Sequence, residues 1–272
     1  NFQKTGSFKI RGATNAILQL NKKQLKNGII TTSSGNHGAA VSYSAKNMGI
    51  SACVIMPKNT PSNKIENVKR YGGEIVFCEP NINSREETLY QMVKKSGASI
   101  IHPYNDNKII TGQGTAAKEL IEEVKDLDSI ICPVSGGGLL SGTILTAKAL
   151  NPNLKIYGAE PENADDTYRS IINNKIMSNE TTDTIADGLR AQVGTLTFPI
   201  IQEHVEEILL VSEKMIIDSM YVIWQRLKII IEPSCSIVFA ALLLNSKKFK
   251  NERVGLILTG GNYDLNKIPW QN

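Results

Sequence analysis

The chain has 272 residues, 41% of them hydrophobic and 21% charged, with 30 Lys+Arg against 26 Asp+Glu and a net charge of +4. That length allows one large or two ordinary domains with a sizeable core. The small positive excess holds no basic block, which argues against a nucleic-acid surface, and no apolar run approaches the ~18 residues of a membrane span. Cys53, Cys78, Cys132 and Cys235 lie far apart in apolar surroundings with no Cys-x-x-Cys pair. That is the pattern of reduced core thiols in a cytoplasmic protein. The opening Asn1-Phe2-Gln3-Lys4-Thr5-Gly6-Ser7 has no initiator Met, no basic stretch and no apolar stretch. It reads as a chain entered midway, lacking its first element or two.

Strand-like and helix-like patterns then alternate. Ile29–Thr32 predicts a strand, His37–Met48 a helix, Ser51–Met56 a strand and Ser62–Tyr71 a helix opening after Pro61. Glu74–Cys78 is a strand, Ser84–Lys95 a helix, Ala98–His102 a strand and Thr115–Val124 a helix. Strands follow at Ser129–Val134, Lys155–Glu160, Glu207–Val211 and Arg253–Leu258, with helices at Leu139–Leu150, Glu213–Lys228 and Pro233–Leu244. Such alternation with short links predicts an α/β fold of parallel sheets covered by helices. Ligands on such sheets bind at the carboxyl ends of the strands, which is where the Gly-rich turns fall.

Three of those turns stand out. Ser33-Ser34-Gly35-Asn36-His37-Gly38 joins a strand to a helix. Helix-start N–H groups bind anions, and the two glycines allow close approach; an ordinary N-cap with glycine for the turn fits the same residues. Ser135-Gly136-Gly137-Gly138-Leu139 offers N–H donors without side chains in the way, which suits a phosphate. It also mimics a dinucleotide fingerprint, with Gly142 opening the helix and Glu160 ending the next strand, so an NAD-dependent oxidoreductase using Gly136–Gly142 is an alternative. Leu258-Thr259-Gly260-Gly261-Asn262 follows the last strand. Lys9 lies in a patterned stretch where Phe8, Ile10 and Arg11 could lower its pKa by desolvation and charge, as a Schiff-base lysine requires; on composition alone a solvated surface lysine is the favoured reading.

Together these stretches resemble the fold-type II pyridoxal-phosphate enzymes. Thr5-Gly6-Ser7-Phe8-Lys9-Ile10-Arg11-Gly12-Ala13 is similar to their cofactor-lysine motif, Ser33–Gly38 to their substrate loop and Gly136–Gly138 to their phosphate cradle. Glu160-Pro161-Glu162-Asn163-Ala164-Asp165-Asp166, Ile185-Ala186-Asp187-Gly188 and Ile231-Glu232-Pro233 resemble the serine racemase and serine/threonine dehydratase branch. The resemblance implies two open twisted α/β domains with the cofactor in the cleft between them. A small mobile domain, residues 28–105, would be inserted into a large one made of 1–27 and 106–272. It implies a serine racemase or serine (threonine) dehydratase that interconverts L- and D-serine and releases pyruvate and ammonia, with an L-threonine ammonia-lyase as the alternative.

The same resemblance assigns roles. Lys9 would hold pyridoxal phosphate covalently and move the substrate Cα proton on one face, with Ser34 opposite it. Phe8 would pack beside the cofactor ring, Asn36 would bind its hydroxyl, Thr259 its nitrogen, and the N–H groups of Ser135, Gly136, Gly137, Gly138 and Leu139 its phosphate. Ser33, Ser34, Asn36, His37 and Arg85 would hold substrate. Glu160 and Asp166, with the Ala164 carbonyl, would bind Mg²⁺ or Ca²⁺, as all-oxygen ligation suits a hard ion; residue chemistry alone favours a solvated acidic loop, and the resemblance reverses that preference. ATP is a candidate activator, a homodimer the expected assembly, and neither nucleic acid nor membrane an expected partner. His102 and His204 are taken as structural. Three positions depart from the family pattern: Ala191 stands where racemases usually have serine, Thr259 replaces a serine, and Ser135 replaces the first of four glycines.

Overall fold

The computed structural model describes residues 1–179 and 181–270; Glu180 and the last two residues of the expected large domain fall outside them. The chain forms two compact units, Gln3–Gly112 and Gln113–Asn272 with Asn1–Phe2. Each holds one four-stranded, all-parallel sheet, the architecture that the strand–helix alternation predicts.

In the first unit the strands are β1 (Ile29–Thr32), β2 (Ala52–Pro57), β3 (Glu74–Cys78) and β4 (Ser99–Ile100), in the order β3-β2-β1-β4. Side chains alternate faces along a strand, so a sheet covered on both sides needs apolar residues at every position. Ile29 joins a cluster with Ile10, Ala13, Ile17 and Val41, from helices α1 (Lys9–Leu18) and α3 (Asn36–Asn47). Its neighbour Ile30 faces the other way, into Ile55, Cys78 and the inner side of the Ile82–Ser96 helix. A short helix, α2 (Lys22–Leu25), leads into β1, and α4 (Ser62–Arg70) covers β2 and β3 through Val68. The Ile82–Ser96 helix is α5. Because α1 packs on α3, the Lys9 helix groups with the sheet of residues 28–105.

Helix α6 (Asn107–Glu123) carries the chain into the second unit. It begins well before the predicted Thr115, since Gly112 and Gly114 weaken the helical pattern. Both glycines serve close approach. A Cβ on Gly112 would lie 2.7 Å from Gly12 Cα, and one on Gly114 2.8 Å from the Gly142 carbonyl.

The second unit orders its strands β7-β6-β5-β8: β5 (Ser129–Pro133), β6 (Lys155–Pro161), β7 (Glu207–Val211) and β8 (Val254–Leu256). Helix α7 (Gly138–Leu150) follows β5, α8 (Asp166–Ile172) follows β6, and α9 (Thr197–His204) precedes β7. Helices α10 (Glu213–Leu227) and α11 (Pro233–Leu244) lead to β8, and Pro233 sits at the first turn, where its missing N–H costs nothing. Ile131, Ala159, Leu209, Ile237 and Val238 form the main core here.

All four cysteines are free thiols. Burial pushes Cys132 up to about 12 and Cys235 up to about 11, so both stay protonated and inert. Among the described residues no helix is long and apolar enough to cross a membrane.

Candidate functional site

In the first unit the predicted residues gather at the carboxyl end of the sheet. A 3₁₀ turn over Lys4–Gly6, with Thr5 at φ 65 and Gly6 at φ 72, delivers the start of α1. A threonine in the left-handed region is uncommon and is held only where surrounding structure enforces it. Lys9 Nζ then lies 5.3 Å from the centre of the Phe8 ring and donates to the Pro103 carbonyl at 3.1 Å.

The loop after β1 is braced from within. Ser33 Oγ accepts the N–H groups of Gly35 at 3.1 Å and Gly38 at 3.0 Å, and the Ser33 N–H donates to Ile55 O. Ser33 therefore shapes the loop, while its neighbour Ser34 is exposed, and among the described residues its hydroxyl takes no hydrogen bond. Asn36 opens α3 without a side-chain cap before it.

His37 is buried and neutral. Burial, then the nearby Lys9 charge, lowers its pKa to about 3, against the pull of the Ile101 carbonyl. Its Nε2 lies 3.3 Å from that carbonyl, so Nε2 carries the proton and Nδ1 is a bare acceptor. That Nδ1 is buried without a partner among the described residues, an arrangement that favours an incoming donor. Arg85 lies in the first turns of α5, half-buried, its charge felt by His102.

In the second unit the glycine turn follows β5, and α7 starts at Gly138 with no side-chain cap. Its first N–H groups are a ready anion site. Gly137 sits at φ 86, and a Cβ there would come within 2.7 Å of Thr197 Oγ1. Gly137→Ala is expected to destabilise the protein by about 2 kcal/mol or more, through backbone strain and overpacking. A lower urea midpoint at unchanged slope checks this; an unchanged midpoint would mean that the turn relaxes freely.

Thr197 was not legible as a site residue. Its hydroxyl donates to Gly136 O at 2.7 Å and accepts from Gly194 N at 2.9 Å, so a residue 61 positions away fixes the turn. No local sequence pattern announces such a brace. Two departures from the family pattern meet here: Ser135 Oγ bonds both the N–H (3.0 Å) and the carbonyl (3.2 Å) of Ala191. Thr259 is buried beyond β8, next to Cys235.

Glu160 is fully buried, and its two oxygens accept from Thr167 N at 3.1 Å and Tyr168 N at 2.9 Å. Asp166 is also buried; it accepts from Asn179 Nδ2 and from Val193 N, each at 2.7 Å. Burial, then the Asp166 charge, raises Glu160 to about 8, and burial raises Asp166 to about 6. Arg169 is hydrogen-bonded to Asp165 at 2.7 Å. Among the described residues no group of three or more His, Cys, Asp or Glu could hold a metal, so a cation here would rest on two carboxylates and backbone oxygen.

Comparison with known proteins fits these features. A family model described as pyridoxal-phosphate dependent enzyme matches residues 1–260. The chain is 46% identical to the beta-hydroxyaspartate dehydratase of Paracoccus denitrificans, over 99% of this chain and 86% of that protein. It is 47% identical to the serine racemase of Dictyostelium discoideum, over 98% of this chain and 84% of that one. The solved structure of maize serine racemase superposes with a TM-score of 0.96 at 45% identity, covering 99% of this chain and 83% of that one. A lysine at a strained helix entry, a glycine cradle at an uncapped helix start and near-complete coverage by the family model point the same way, and the chain belongs to the pyridoxal-phosphate-dependent enzymes.

Proposed function

We propose that the protein removes the Cα proton of serine and then either delivers a second proton to the opposite face, giving the other enantiomer, or expels the β-hydroxyl as water, leaving an enamine that water hydrolyses to pyruvate and ammonia. The observation that carries this reading is Lys9, held at the carboxyl end of the same sheet that presents the Ser33–His37 loop and the orphaned His37 Nδ1. By chemistry the donors suit the cofactor: the N–H groups of Ser135–Leu139 would take its phosphate, Phe8 would pack beside the ring, Asn36 would bind the ring hydroxyl and Thr259 the ring nitrogen.

Bound pyridoxal phosphate supplies an electron-withdrawing ring that makes the substrate Cα proton acidic. Thr259 offers that ring a neutral hydroxyl, which leaves the ring nitrogen unprotonated and favours racemisation and elimination over transamination. The α3 N–H groups, that of His37 included, and the Asn36 side-chain amide would bind the substrate carboxylate, and the bare His37 Nδ1 would accept from a substrate donor. Lys9 Nζ moves the Cα proton on one face and Ser34 Oγ on the other, the two-base arrangement that inversion requires. Residues 28–105 act as the mobile domain that excludes water from bound substrate. The direct test is incubation with L-serine and separate assays of D-serine and pyruvate; neither product would contradict the reading.

A second reading is favoured by the half-buried Arg85 and by the buried Lys64, whose Nζ would lie 3.2 Å from a Cβ on Gly35. A cation beside the loop and a second one near His102 suit a substrate with a second carboxylate, such as 3-hydroxyaspartate, the substrate class in the name of the Paracoccus relative. Faster ammonia release from 3-hydroxyaspartate than from serine decides for it.

Glu160, Asp166 and the Ala164 carbonyl are proposed to hold Mg²⁺ or Ca²⁺, since two carboxyls buried together gain from a cation. Both pKa values are raised by folding. Metal-free protein therefore binds more protons folded than unfolded from roughly pH 4 to about 8, and its stability falls as pH rises through that window. A bound cation offsets the loss. Chelation is expected to lower Tm by about 5 °C near pH 8.5 and by less near pH 5.5. Equal Tm with and without chelator at the higher pH would remove the cation from this site.

A homodimer acting in the cytoplasm with ATP as activator completes the reading, supported by apolar side chains exposed on and after α10 (Tyr221, Leu227, Ile230). Sedimentation and an ATP titration of the elimination rate test these two parts.

A further inference from the structure

The turn after β4 folds back on its own histidine. His102 Nδ1 accepts the N–H of Asn105 at 2.8 Å and that of Tyr104 at 3.3 Å. Pro103 has no N–H to offer, so the His102 ring satisfies the two donors that follow it. The Tyr104 ring meets His102 edge-on, 4.8 Å between centres. On either side the segment is fixed: the Ile101 carbonyl accepts Thr31 Oγ1 at 2.7 Å and His37 Nε2 at 3.3 Å, and Asp106 accepts Lys108 N at 2.7 Å. Between these anchors the Pro103 carbonyl receives Lys9 Nζ at 3.1 Å.

We infer that His102 is a positioning residue for Lys9: its unprotonated Nδ1 locks the turn that holds the Pro103 carbonyl against the Lys9 amine. The turn thus offers the amine a fixed anchor whenever it is not bonded to cofactor. The inference rests on Lys9 being the attachment residue proposed above.

A ring nitrogen accepts hydrogen bonds only while it carries no proton. The groups that face this imidazole are Lys9 from α1, Arg85 from α5, His37 from α3 and Asp106 from its own turn. Burial and the Lys9 charge lower its pKa, Asp106 opposes them, and Arg85 adds to the lowering. The lock is therefore expected to open only on the acid side. Asparagine at position 102 offers a carbonyl oxygen to the same N–H groups at every pH, as in an Asx turn, and alanine offers nothing.

The test is to load the protein with pyridoxal phosphate and reduce it with borohydride across a pH series. The modified Lys9 peptide is then quantified by mass spectrometry for the wild type, His102→Asn, His102→Ala and Lys9→Ala. Circular dichroism melts confirm that each variant is folded. His102→Ala is expected to label Lys9 about tenfold less, and His102→Asn to label within about twofold of wild type with its acid-side loss moved to lower pH. Wild-type labelling in His102→Ala, or an unchanged acid limb in His102→Asn, would overturn the inference. If the alanine variant does not fold, the acid limb of the asparagine variant decides alone. Failure of the underlying reading is separate: Lys9→Ala would then label as fully as wild type, on another lysine.

Discussion

Lys9→Ala is expected to lose both racemisation and elimination by at least about a thousandfold, because it removes the attachment amine and one of the two proton carriers together. The variant should still fold. Lys9 is only partly buried, at the first position of α1, and its bonds include that to Pro103 and the contact with Phe8. The packing of α1 rests on Ile10, Ala13, Ala16 and Ile17, which the change leaves intact. Lys64 is the informative control, since it is a second buried amine in the same unit. Pyruvate and D-serine assays, with a thermal melt beside them, check the prediction. Residual turnover within about tenfold of wild type would remove Lys9 from the chemistry.

Ser34→Ala is expected to stop racemisation, by about a hundredfold or more, while sparing a measurable part of elimination from L-serine. The asymmetry follows from the loop. Ser33, not Ser34, braces Gly35 and Gly38, so removing the exposed Ser34 hydroxyl leaves the loop's own hydrogen bonds in place. Elimination from L-serine needs only the base on the Lys9 side, whereas inversion needs a proton delivered from the other. Chiral analysis of the serine pool alongside pyruvate release reads both outcomes. Racemisation at the wild-type rate in this variant would refute the two-base assignment.

The parallel α/β plan was legible because β2 and β5 are buried on both faces and so carry near-continuous apolar runs, Ala52–Met56 and Ile130–Cys132. Helix α1 was not. Gly12, Thr14 and Asn15 are poor helix formers, and the helix is held by packing on α3. The early start of α6 was hidden by Gly112 and Gly114, glycines required for close approach rather than for a turn. Helix α9 carries Pro199 in its first turn, where proline is harmless yet looks like a breaker. At the site, residue types were legible but not how each group is spent. A serine pair shows two hydroxyls; only the fold shows that Ser33 is engaged and Ser34 is not. His102 looked inert for the same reason, as its partners are backbone N–H groups that every residue carries.

The most direct measurement is the visible spectrum of the purified protein with pyridoxal phosphate, before and after L-serine, followed by assay of the products. The account predicts a yellow protein whose band survives dialysis and shifts on adding serine, with pyruvate, D-serine or both appearing. A protein that stays colourless after loading and dialysis, and forms neither product, would contradict it.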